Sequence, residues 1–426
     1  MHFDTLKGWL DWQETLHPKS IDLGLERVAQ VRQRLTPGNK QPITITVAGT
    51  NGKGSSIAFL DAIYRAQGLR VGAYTSPHIT QYNERIKING IPVSDDLICT
   101  AFTRIEAVRE NISLSYFEFS TLAALDIFAR ADLDIQLLEV GLGGRLDAVN
   151  IIDPDATLVT SISLDHTAWL GKTREAIGFE KAGIFRPHIT AIISDPQPPQ
   201  SLIEQAHKIH APIARIGHEF GYQQQTSNWS WHSTEQQLNA LPLPQLKGTH
   251  QYRNAAAVLM AIQTLQNKIP VSIQAIKQGL QTAYLPGRFQ VIQTEPTVLL
   301  DVSHNAQAAQ ALADYLQAAF PTKPVHAVFT LMNDKDKQGV IMPMQAIVKH
   351  WYISPLHNPR ASQKEDLAEA FRQCNIPQVS FHFNDFISTF QAAKTNAQND
   401  NGLVLVFGSF FLVSEYLNLF SDLSGK

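Results

Sequence analysis

Apolar residues recur along the first half of the chain in two alternating patterns. Short runs rich in β-branched residues predict five strands, at residues 43–48, 71–74, 135–140, 156–162 and 190–194. Between them, apolar residues at helical spacing predict helices at 55–67, 117–130 and 173–182. Because strands that alternate with helices usually become parallel neighbours, this half of the chain predicts a mainly parallel sheet with helices on both faces.

The pattern changes in residues 217–243, which are rich in Gln, Ser, Asn, Trp and His and which we interpret as a β-hairpin at the domain edge. Two helix-like segments follow, at 252–266 and 272–283, before Leu285-Pro286-Gly287-Arg288 interrupts the pattern. Further strands are then predicted at 297–302, 325–331, 351–354 and 403–407, with helices at 305–319 and 411–419. The sequence therefore predicts an α/β protein with an N-terminal, mostly parallel-sheet domain (1–287) and a smaller Rossmann-like domain (288–426).

Length and composition agree with two domains and exclude several classes of protein. At 426 residues the chain exceeds the size at which one hydrophobic core keeps growing. A net charge of −3 gives no electrostatic reason to expect binding to nucleic acid or to an anionic membrane. With only Cys99 and Cys374 the chain has no disulfide framework, and neither a signal peptide nor a membrane span is predicted. We expect a cytoplasmic protein and, because no helix pattern shows a large exposed apolar face, a monomer.

Three glycines and a lysine follow the first predicted strand, in the segment GTNGKGS at 49–55. Glycines let successive backbone N–H groups face inward, and the N-terminus of the following helix, expected near Ser55, adds partial positive charge. Lys53 would contact the β- and γ-phosphates of a nucleotide, and the Ser55 hydroxyl would lie by phosphate or metal. A plain strand–helix turn would need one glycine only. We therefore predict a phosphate loop, although its spacing is shorter than that of the common G-x-x-x-x-G-K-[ST] pattern.

Potential metal ligands follow other predicted strands. Ser76 and His166 lie just beyond two strands, and Glu139 lies near the end of a third. Taken singly, each residue has an ordinary explanation. Glu139 would be a carboxylate exposed to solvent at the end of a strand, and His166 would be a hydrogen-bonded residue in a turn. Because the carboxyl ends of parallel strands meet at one edge of a sheet, we expect these side chains beside the phosphate loop. A hydroxyl, a carboxylate and an imidazole leave room for waters and a phosphate oxygen, which favours magnesium.

Five further residues have both a chemical and an ordinary explanation. Lys181, in EKAGIF at 180–185, is by itself typical of a charged helix face. Arg288 would bind phosphate or form an interdomain salt bridge, and Asn254 would reach an adenine edge or cap a helix. Asp301 ends a buried strand, where a carboxylate can accept ribose hydroxyls. Ser409 lies in a loop before a helix, which is a position suited to binding a carboxylate.

Taken together, these motifs resemble those of the folylpolyglutamate synthase/dihydrofolate synthase family, within the Mur-ligase superfamily. The resemblance runs from IDLGLERV at 21–28 to GSF at 408–410, nearly the whole chain. Its other motifs are GTNGKGS at 49–55, SPH at 76–78, EVGLGGRLDA at 139–148, SLDHTAWLG at 163–171, EKAGIF at 180–185, PGRF at 286–289 and DVSHN at 301–305. In one departure, Ala306 stands where the bacterial enzymes carry proline, and since this position opens a helix we expect little effect.

The resemblance implies a role for each motif. The ATP phosphates would be held by Thr50, Asn51, Gly52, Lys53, Gly54 and Ser55, and the nucleotide would also contact Asn254, Arg288 and Asp301. Two Mg2+ sites are expected around Ser76, Glu139 and His166, with K+ as a further candidate. Lys181 would be carbamylated on Nζ and so become anionic. The pterin would contact Ile21, Asp22, Leu23, Ser115, Tyr116, Phe117, Glu118, Leu146, Asp147 and Ala148. The candidates for binding L-glutamate are His304 and Ser409.

The resemblance also implies a reaction. A substrate carboxylate attacks the γ-phosphate of ATP, and the amino group of L-glutamate then attacks the resulting acyl phosphate. Two anions meet in the first step, so Lys53 and magnesium would neutralise charge, with Lys181 as a further catalytic group. His304 or Asp301 would take the proton of the amine. The acceptors would be dihydropteroate and the γ-carboxylate of tetrahydrofolates.

The motifs leave three alternatives. The segment SLSYFEF at 113–119 resembles the bifunctional bacterial type, and an enzyme with the folylpolyglutamate synthase activity alone is the alternative. A cell-wall Mur ligase would carry a nucleotide-sugar-binding domain before the phosphate loop, where only 48 residues precede Gly49. A nucleotide-binding regulator without catalysis would be expected to lack some of Lys53, Glu139, His166 and Lys181, and all four are present.

Overall fold

The computed structural model describes residues 3–19, 21–35 and 41–420. The chain forms two compact units. The first comprises Met1–Gln245 and Gln251–Tyr284, and the second comprises Leu246–His250 and Leu285–Lys426. Among the described residues, no helix combines the length and the apolar character needed to cross a bilayer.

The first unit is built on an eight-stranded sheet in the order β4-β3-β2-β5-β1-β6-β7-β8. Its strands are β1 (Ile43–Ala48), β2 (Val71–Tyr74), β3 (Ile86–Ile88), β4 (Ile91–Pro92), β5 (Ile135–Glu139), β6 (Ala156–Val159), β7 (Ala191–Ile193) and β8 (Ile213–Arg215). The six strands β2, β5, β1, β6, β7 and β8 are parallel to one another, whereas the pairs β2–β3 and β3–β4 are antiparallel. The prediction of a mainly parallel sheet is confirmed, and the carboxyl ends of β2, β5, β1 and β6 lie side by side at one edge.

Ten α-helices accompany this sheet in the described part of the chain. They are α1 (Leu6–Leu16), α2 (Glu26–Arg34), α3 (Lys53–Ala66), α4 (Asp95–Arg109), α5 (Tyr116–Arg130), α6 (Thr167–Leu170), α7 (Arg174–Ala182), α8 (Gln200–Lys208), α9 (His250–Thr264) and α10 (Ile273–Thr282). Aromatic side chains pack between α1, α4 and α5. The centroid of the Trp9 ring lies 5.8 Å from that of Phe102 and 6.5 Å from that of Phe119.

The segment 217–243 corrects our prediction of a hairpin. It forms a three-stranded antiparallel sheet of β9 (Phe220–Gln224), β10 (Asn228–Ser233) and β11 (Gln237–Pro242), with β10 in the middle. Trp229 and Trp231, two positions apart on β10, are both buried. Trp231 also donates its Nε1–H to the carbonyl of Ala256 on α9, at 2.9 Å. The strand that we did not predict separately makes this segment a sheet rather than a hairpin. It allows β10, which buries two tryptophans, to form hydrogen bonds along both of its edges.

The second unit contains a six-stranded sheet in the order β12-β13-β17-β14-β15-β16. Its strands are β12 (Gln290–Thr294), β13 (Thr297–Asp301), β14 (Val325–Phe329), β15 (Val348–Ile353), β16 (Val379–Ser380) and β17 (Leu403–Phe407). Its helices are α11 (Ala306–Ala319), α12 (Lys337–Ile341), α13 (Lys364–Gln373), α14 (Phe386–Asn399) and α15 (Phe410–Phe420). Apart from antiparallel β12, the strands are parallel, so the Rossmann-like prediction is confirmed.

A close contact between α10 and α3 supports the helix that follows the phosphate loop. A Cβ atom at Gly279 would lie 2.5 Å from Cα and 2.6 Å from N of Ile63, which is backbone that cannot swing aside. We expect Gly279→Ala to lower the free energy of unfolding by about 1–3 kcal/mol, measured by urea denaturation. Gly24→Ala, where a Cβ meets nothing within 4 Å, is the matched control. Equal free energies for the two variants would contradict the role of this contact.

Candidate active site

The phosphate loop lies between β1 and α3, at the carboxyl edge of the central strand. Helix α3 begins at Lys53 rather than near Ser55, which corrects our prediction, because Gly52 at φ +97° ends the loop in a left-handed conformation. Gly49 has φ +145°, and a Cβ there would fall 1.7 Å from Oγ1 of Thr160. The Lys53 Nζ donates to the carbonyl oxygens of Gly49 at 3.0 Å and Thr50 at 3.1 Å. The lysine therefore folds back over its own loop.

The segment that follows β6 holds the loop in place. Thr50 N–H donates to the carbonyl of Ser161 at 2.7 Å, and the Thr50 hydroxyl donates to the carbonyl of Ser163 at 3.1 Å. The Ser161 hydroxyl in turn donates to the carbonyl of Asn51 at 3.1 Å. Three hydrogen bonds thus fix the loop before any ligand arrives, which lowers the entropy that ordering it on binding would cost.

Lys181 reaches the same loop from the end of α7. Its side chain is buried, and its Nζ donates to the Gly49 carbonyl at 2.8 Å. Burial, together with the positive charge of Lys53, lowers the pKa of Lys181 to about 7, and Asp165 and Asp147 partly oppose that change. The ordinary explanation of a solvated helix-face lysine is therefore wrong for this residue. A large fraction of its amine is neutral near pH 7.

The lowered pKa of Lys181 predicts a pH-dependent stability of the unmodified chain. Between pH 7 and the ordinary lysine pKa of 10.5, the unfolded chain binds more protons at this site, so the free energy of unfolding rises with pH in this window. Below about pH 7, the buried ammonium opposes folding. In carbon-dioxide-free and metal-free buffer, we therefore expect Lys181→Met to raise the melting temperature at pH 6.5 and to lose this advantage by pH 9.5. An advantage that is the same at both pH values would contradict the lowered pKa.

The glycine-rich segment after β5 fixes the position of Lys181. A Cβ on Gly144 would lie 2.8 Å from the Glu180 carbonyl oxygen and 3.1 Å from the Lys181 Cα, so this close approach requires glycine. Arg145 binds the same turn, because its N–H donates to the Glu180 carbonyl at 2.8 Å and its guanidinium pairs with the Glu180 carboxylate at 2.8 Å. Arg145 lies within the GLGGR motif but was not among the predicted site residues.

Two of the three predicted metal ligands lie in direct contact. Ser76 N–H donates to Oε2 of the buried Glu139 at 3.2 Å, across the neighbouring strands β2 and β5. His166 follows the segment that holds the phosphate loop and has a left-handed backbone with φ 50°. No group of three or more His, Cys, Asp or Glu side chains in the described ranges is placed to hold a metal ion. The predicted set has only two such side chains plus a hydroxyl, and this donor chemistry suits a magnesium ion that keeps waters and phosphate oxygens as its other ligands.

The residues predicted to contact the pterin converge at one place. Gly24 N–H donates to the Leu146 carbonyl at 3.2 Å, so the segment after Leu23 lies against the loop that precedes Asp147. Arg27 joins two other parts of the set, because its guanidinium pairs with Asp22 at 2.8 Å and with Glu118 at 3.1 Å. Sequence reasoning missed this role of Arg27, although the residue lies in the IDLGLERV motif.

Several members of this set also have local structural roles. Ser115 and Glu118 form a capping box at the start of α5. Asp147 accepts the N–H groups of Leu142 at 2.8 Å and Val149 at 3.0 Å, and burial raises its pKa to about 6. The remaining members of the set are Ile21, Leu23, Tyr116, Phe117 and Leu146, which are half-buried, and Ala148, which is buried.

Asn254 supports the phosphate loop from α9. It lies one turn inside the helix, so it is not the cap, and its Nδ2 donates to Gln251 Oε1 at 3.0 Å. Gln251 Nε2 then donates to the Ser55 hydroxyl at 3.2 Å. A Cβ at Gly52 would lie 2.7 Å from Asn254 Oδ1. The amide therefore packs directly against the glycine that precedes Lys53.

In the second unit, the predicted residues gather at the carboxyl ends of the neighbouring strands β13 and β17. Asp301 is buried, which raises its pKa, and its carboxylate accepts the N–H groups of Phe289 at 3.1 Å and Ser303 at 2.8 Å. The guanidinium of Arg288 lies 5.1 Å from the ring centroid of Phe410, and the His304 ring lies 5.9 Å from the same ring. Sequence reasoning missed Phe410.

Two side chains of this cluster have defined hydrogen bonds. The Ser409 hydroxyl accepts the N–H of Leu412 at 3.1 Å, so it also caps α15. The Nδ1 of His304 lies 2.9 Å from the Val302 carbonyl. Because a carbonyl only accepts, Nδ1 carries the proton in the neutral ring and the lone pair is on Nε2.

Sequence profiles of two domains match the chain. The Mur ligase middle domain matches residues 47–262, and the glutamate ligase domain of Mur ligases matches residues 287–410. The first range contains the phosphate loop, the metal-ligand candidates and Lys181. The second contains Arg288, Asp301 and His304.

Known proteins resemble the chain over almost its full length. The dihydrofolate synthase/folylpolyglutamate synthase of Escherichia coli (strain K12) is 41% identical over 414 residues, which cover 97% of this chain and 95% of that protein. The solved structure of E. coli FolC in complex with DHPP and ADP matches with a TM-score of 0.92 at 40% identity, covering 99% of both chains. A bifunctional folylpolyglutamate synthase/dihydrofolate synthase with Mn, AMPPNP and L-glutamate bound matches with a TM-score of 0.89 at 41% identity, covering 98% of both chains.

Proposed function

Because this chain belongs to the dihydrofolate synthase/folylpolyglutamate synthase family of Mur ligases, we propose that it is an ATP-dependent ligase that adds L-glutamate to a carboxylate. The acceptors are dihydropteroate, which gives dihydrofolate, and the γ-carboxylate of folates, which gives polyglutamates. The reaction uses ATP and a divalent metal, as the Mn and AMPPNP bound to the matching structure suggest.

One observation in the structure carries this proposal. Two lysines, Lys53 from α3 and Lys181 from α7, converge on the carbonyl of Gly49 at 3.0 and 2.8 Å. Two cations placed this close repel each other unless anions lie beside them or one of them is neutral. Lys181 meets the second condition through its lowered pKa. Asp165 and Asp147 lie close enough to act on Lys181, and ATP phosphates bound at the loop would add further negative charge beside both lysines.

The first chemical step brings the acceptor carboxylate to the γ-phosphate of ATP. In our proposal, the N–H groups from Thr50 to Ser55 bind the phosphates, and Lys53 moves from its loop carbonyls onto the β- and γ-phosphate oxygens. The positive charge there lowers the barrier to contact between two anions. A carboxylate oxygen forms a bond to the γ-phosphorus, the bond from that phosphorus to the bridging β–γ oxygen breaks, and ADP leaves.

Ser76, Glu139 and His166 would hold magnesium, which would supply further charge neutralisation at the transferred phosphate. Lys181 would carry a carbamate, because carbon dioxide adds only to a neutral amine and the lowered pKa provides that form. Two magnesium ions and a potassium ion complete our proposal for the cations.

The second step consumes L-glutamate, for which the second unit supplies our candidates. Ser409 and the N-terminal turn of α15 would bind a carboxylate of glutamate. The Nε2 lone pair of His304 is suited to take a proton from the attacking amine, since Nδ1 faces the Val302 carbonyl. Both oxygens of Asp301 already accept protein hydrogen bonds, so we favour His304 as the base. Arg288, Asp301 and Asn254 would contact the nucleotide.

The release of ADP tests the proposed function directly. Purified protein with ATP, magnesium and L-glutamate should release ADP when either dihydropteroate or tetrahydrofolate is added, and should release none without an acceptor. Release with tetrahydrofolate alone would reduce the function to folylpolyglutamate synthesis. Release with neither acceptor would overturn the proposal.

The metal ligands give a separate prediction. We expect Glu139→Ala and His166→Ala to raise the magnesium concentration needed for half-maximal rate by about 10-fold or more, because each removes one protein ligand. Glu175→Ala is a suitable control, because this carboxylate accepts the N–H groups of Gln200 and Ser201 instead. A magnesium dependence in Glu139→Ala or His166→Ala equal to that of the control would remove that residue from the metal site.

We also propose a monomer in the cytoplasm. Both cysteines, Cys99 and Cys374, are free thiols in the structure, as expected for a reducing compartment. Sedimentation equilibrium of the purified protein tests the monomer, and a mass above that of one chain would overturn it.

A further inference from the structure

Arg85 is a buried cation in the first unit. It is 8% exposed, and its Nε–H donates to Nδ1 of His78 at 2.8 Å. Its guanidinium carbon lies 5.5 Å from the ring centroids of both Tyr82 and Tyr116. Among the ion pairs of the described residues, none includes Arg85. Buried arginines almost always have an anionic partner, and a ligand from outside the chain would supply one here.

The adjacent carboxylate does not serve as this partner. Glu84 accepts the backbone N–H groups of Ile79, Thr80 and Gln81, each at 2.8 Å, and so caps the turn that precedes Arg85. The aromatic rings around the guanidinium offer cation–π attraction but no compensating charge. The arrangement fixes the orientation of the guanidinium while its charge is left for a ligand.

The surroundings of Arg85 identify the kind of ligand. Tyr116, on one side, opens α5 and belongs to the set predicted to contact the pterin acceptor. His78, on the other side, lies two residues from Ser76, whose N–H reaches Glu139 among the metal-ligand candidates. Arg85 therefore lies where the acceptor meets the group that phosphorylates it.

We propose that Arg85 binds the acceptor carboxylate that is to be phosphorylated, the free carboxylate of dihydropteroate or of the folate tail. This inference rests on the proposed function, which requires a carboxylate substrate. A guanidinium makes two parallel hydrogen bonds to a carboxylate and so fixes its plane as well as its charge. Tyr82, Tyr116 and His78 hold the guanidinium for that contact. Arg85 is thereby a catalytic residue that no motif in the sequence had indicated.

Binding measurements with two ligands test this assignment. Dihydropteroate and its carboxamide, in which a neutral amide replaces the carboxylate, are titrated into the protein with AMPPNP and magnesium present, so that no reaction occurs. For Arg85→Gln, we expect dihydropteroate to bind about 10- to 100-fold more weakly and the carboxamide to bind as it does to the wild type. Arg85→Lys keeps the charge but not the paired hydrogen bonds. Its affinity for dihydropteroate should therefore lie between that of the wild type and that of Arg85→Gln.

The comparison of ligands separates a binding role from a structural one. Equal weakening of both ligands, or no weakening of dihydropteroate, would overturn the assignment. Arg70→Gln, which removes an exposed guanidinium paired with Asp132, should leave both affinities unchanged. Ligation by the wild type is measured in parallel. Its failure would overturn the proposed function itself, whereas normal ligation with an unaffected Arg85→Gln overturns this inference alone.

Discussion

Replacing Lys53 with methionine is expected to reduce the rate of ADP formation by at least about 1000-fold. Methionine keeps much of the side-chain volume but removes the charge that compensates two anions as they meet. The wild-type ammonium donates to two loop carbonyls, at 3.0 and 3.1 Å, and so already lies at the loop that would bind the phosphates. Steady-state rates at saturating ATP and acceptor give the measurement.

A matched lysine shows whether the loss is specific. Lys268→Met removes an exposed ammonium that pairs with Asp155 and should leave the rate within about two-fold of wild type, as for most surface changes. Thermal unfolding of both variants should resemble that of the wild type. If Lys53→Met retained a rate within about 10-fold of the control, Lys53 would not be the cation at the transferred phosphate.

Replacing Lys181 with alanine is expected to produce the second large loss, on the order of 100-fold or more in rate. The substitution removes both the buried amine and the carbamate that we propose forms on it. Because alanine leaves space where the side chain was, a small carboxylate such as acetate or propionate should restore part of the activity by standing in for the carbamate. Lys181→Met fills the space and should not be rescued.

Three outcomes of this experiment contradict the carbamate. They are normal activity in Lys181→Ala, equal rescue of the alanine and methionine variants, and rescue of the alanine variant by short amines rather than by carboxylates. The last result would mean that a cation, and not an anion, is needed at this position.

Much of the fold follows from the sequence because strands β1, β5, β13 and β17 are buried on both faces and appear in the sequence as short runs rich in apolar and β-branched residues. The predicted helix ends differ from the observed ones where turn geometry decides them, as at Lys53 after the left-handed Gly52. The third strand of the 217–243 segment was missed because its alternation is weak and because the contacts of its partner strand β10, such as the bond from Trp231 to α9, join residues far apart in the sequence.

The candidate site was predicted in part for the same reason. Parallel strands place their carboxyl ends together, so the proximity of Ser76 and Glu139 could be predicted from the sequence. The burial of Lys181 could not be predicted in this way, because it depends on the close approach of Gly144 to the turn that carries Lys181. Arg27 and Arg85 were also missed, since an arginine in a sequence gives no sign of which carboxylates it will meet, or fail to meet, after folding.

The transfer of oxygen from the acceptor to phosphate tests the central claim most directly. Dihydropteroate labelled with a heavy oxygen isotope in its carboxylate is incubated with ATP, magnesium, L-glutamate and the protein, and the released phosphate is analysed by mass spectrometry. Attack of the carboxylate on the γ-phosphate predicts one labelled oxygen in each phosphate released. Formation of dihydrofolate with unlabelled phosphate would contradict an acyl phosphate, and with it the role that we assign to Lys53.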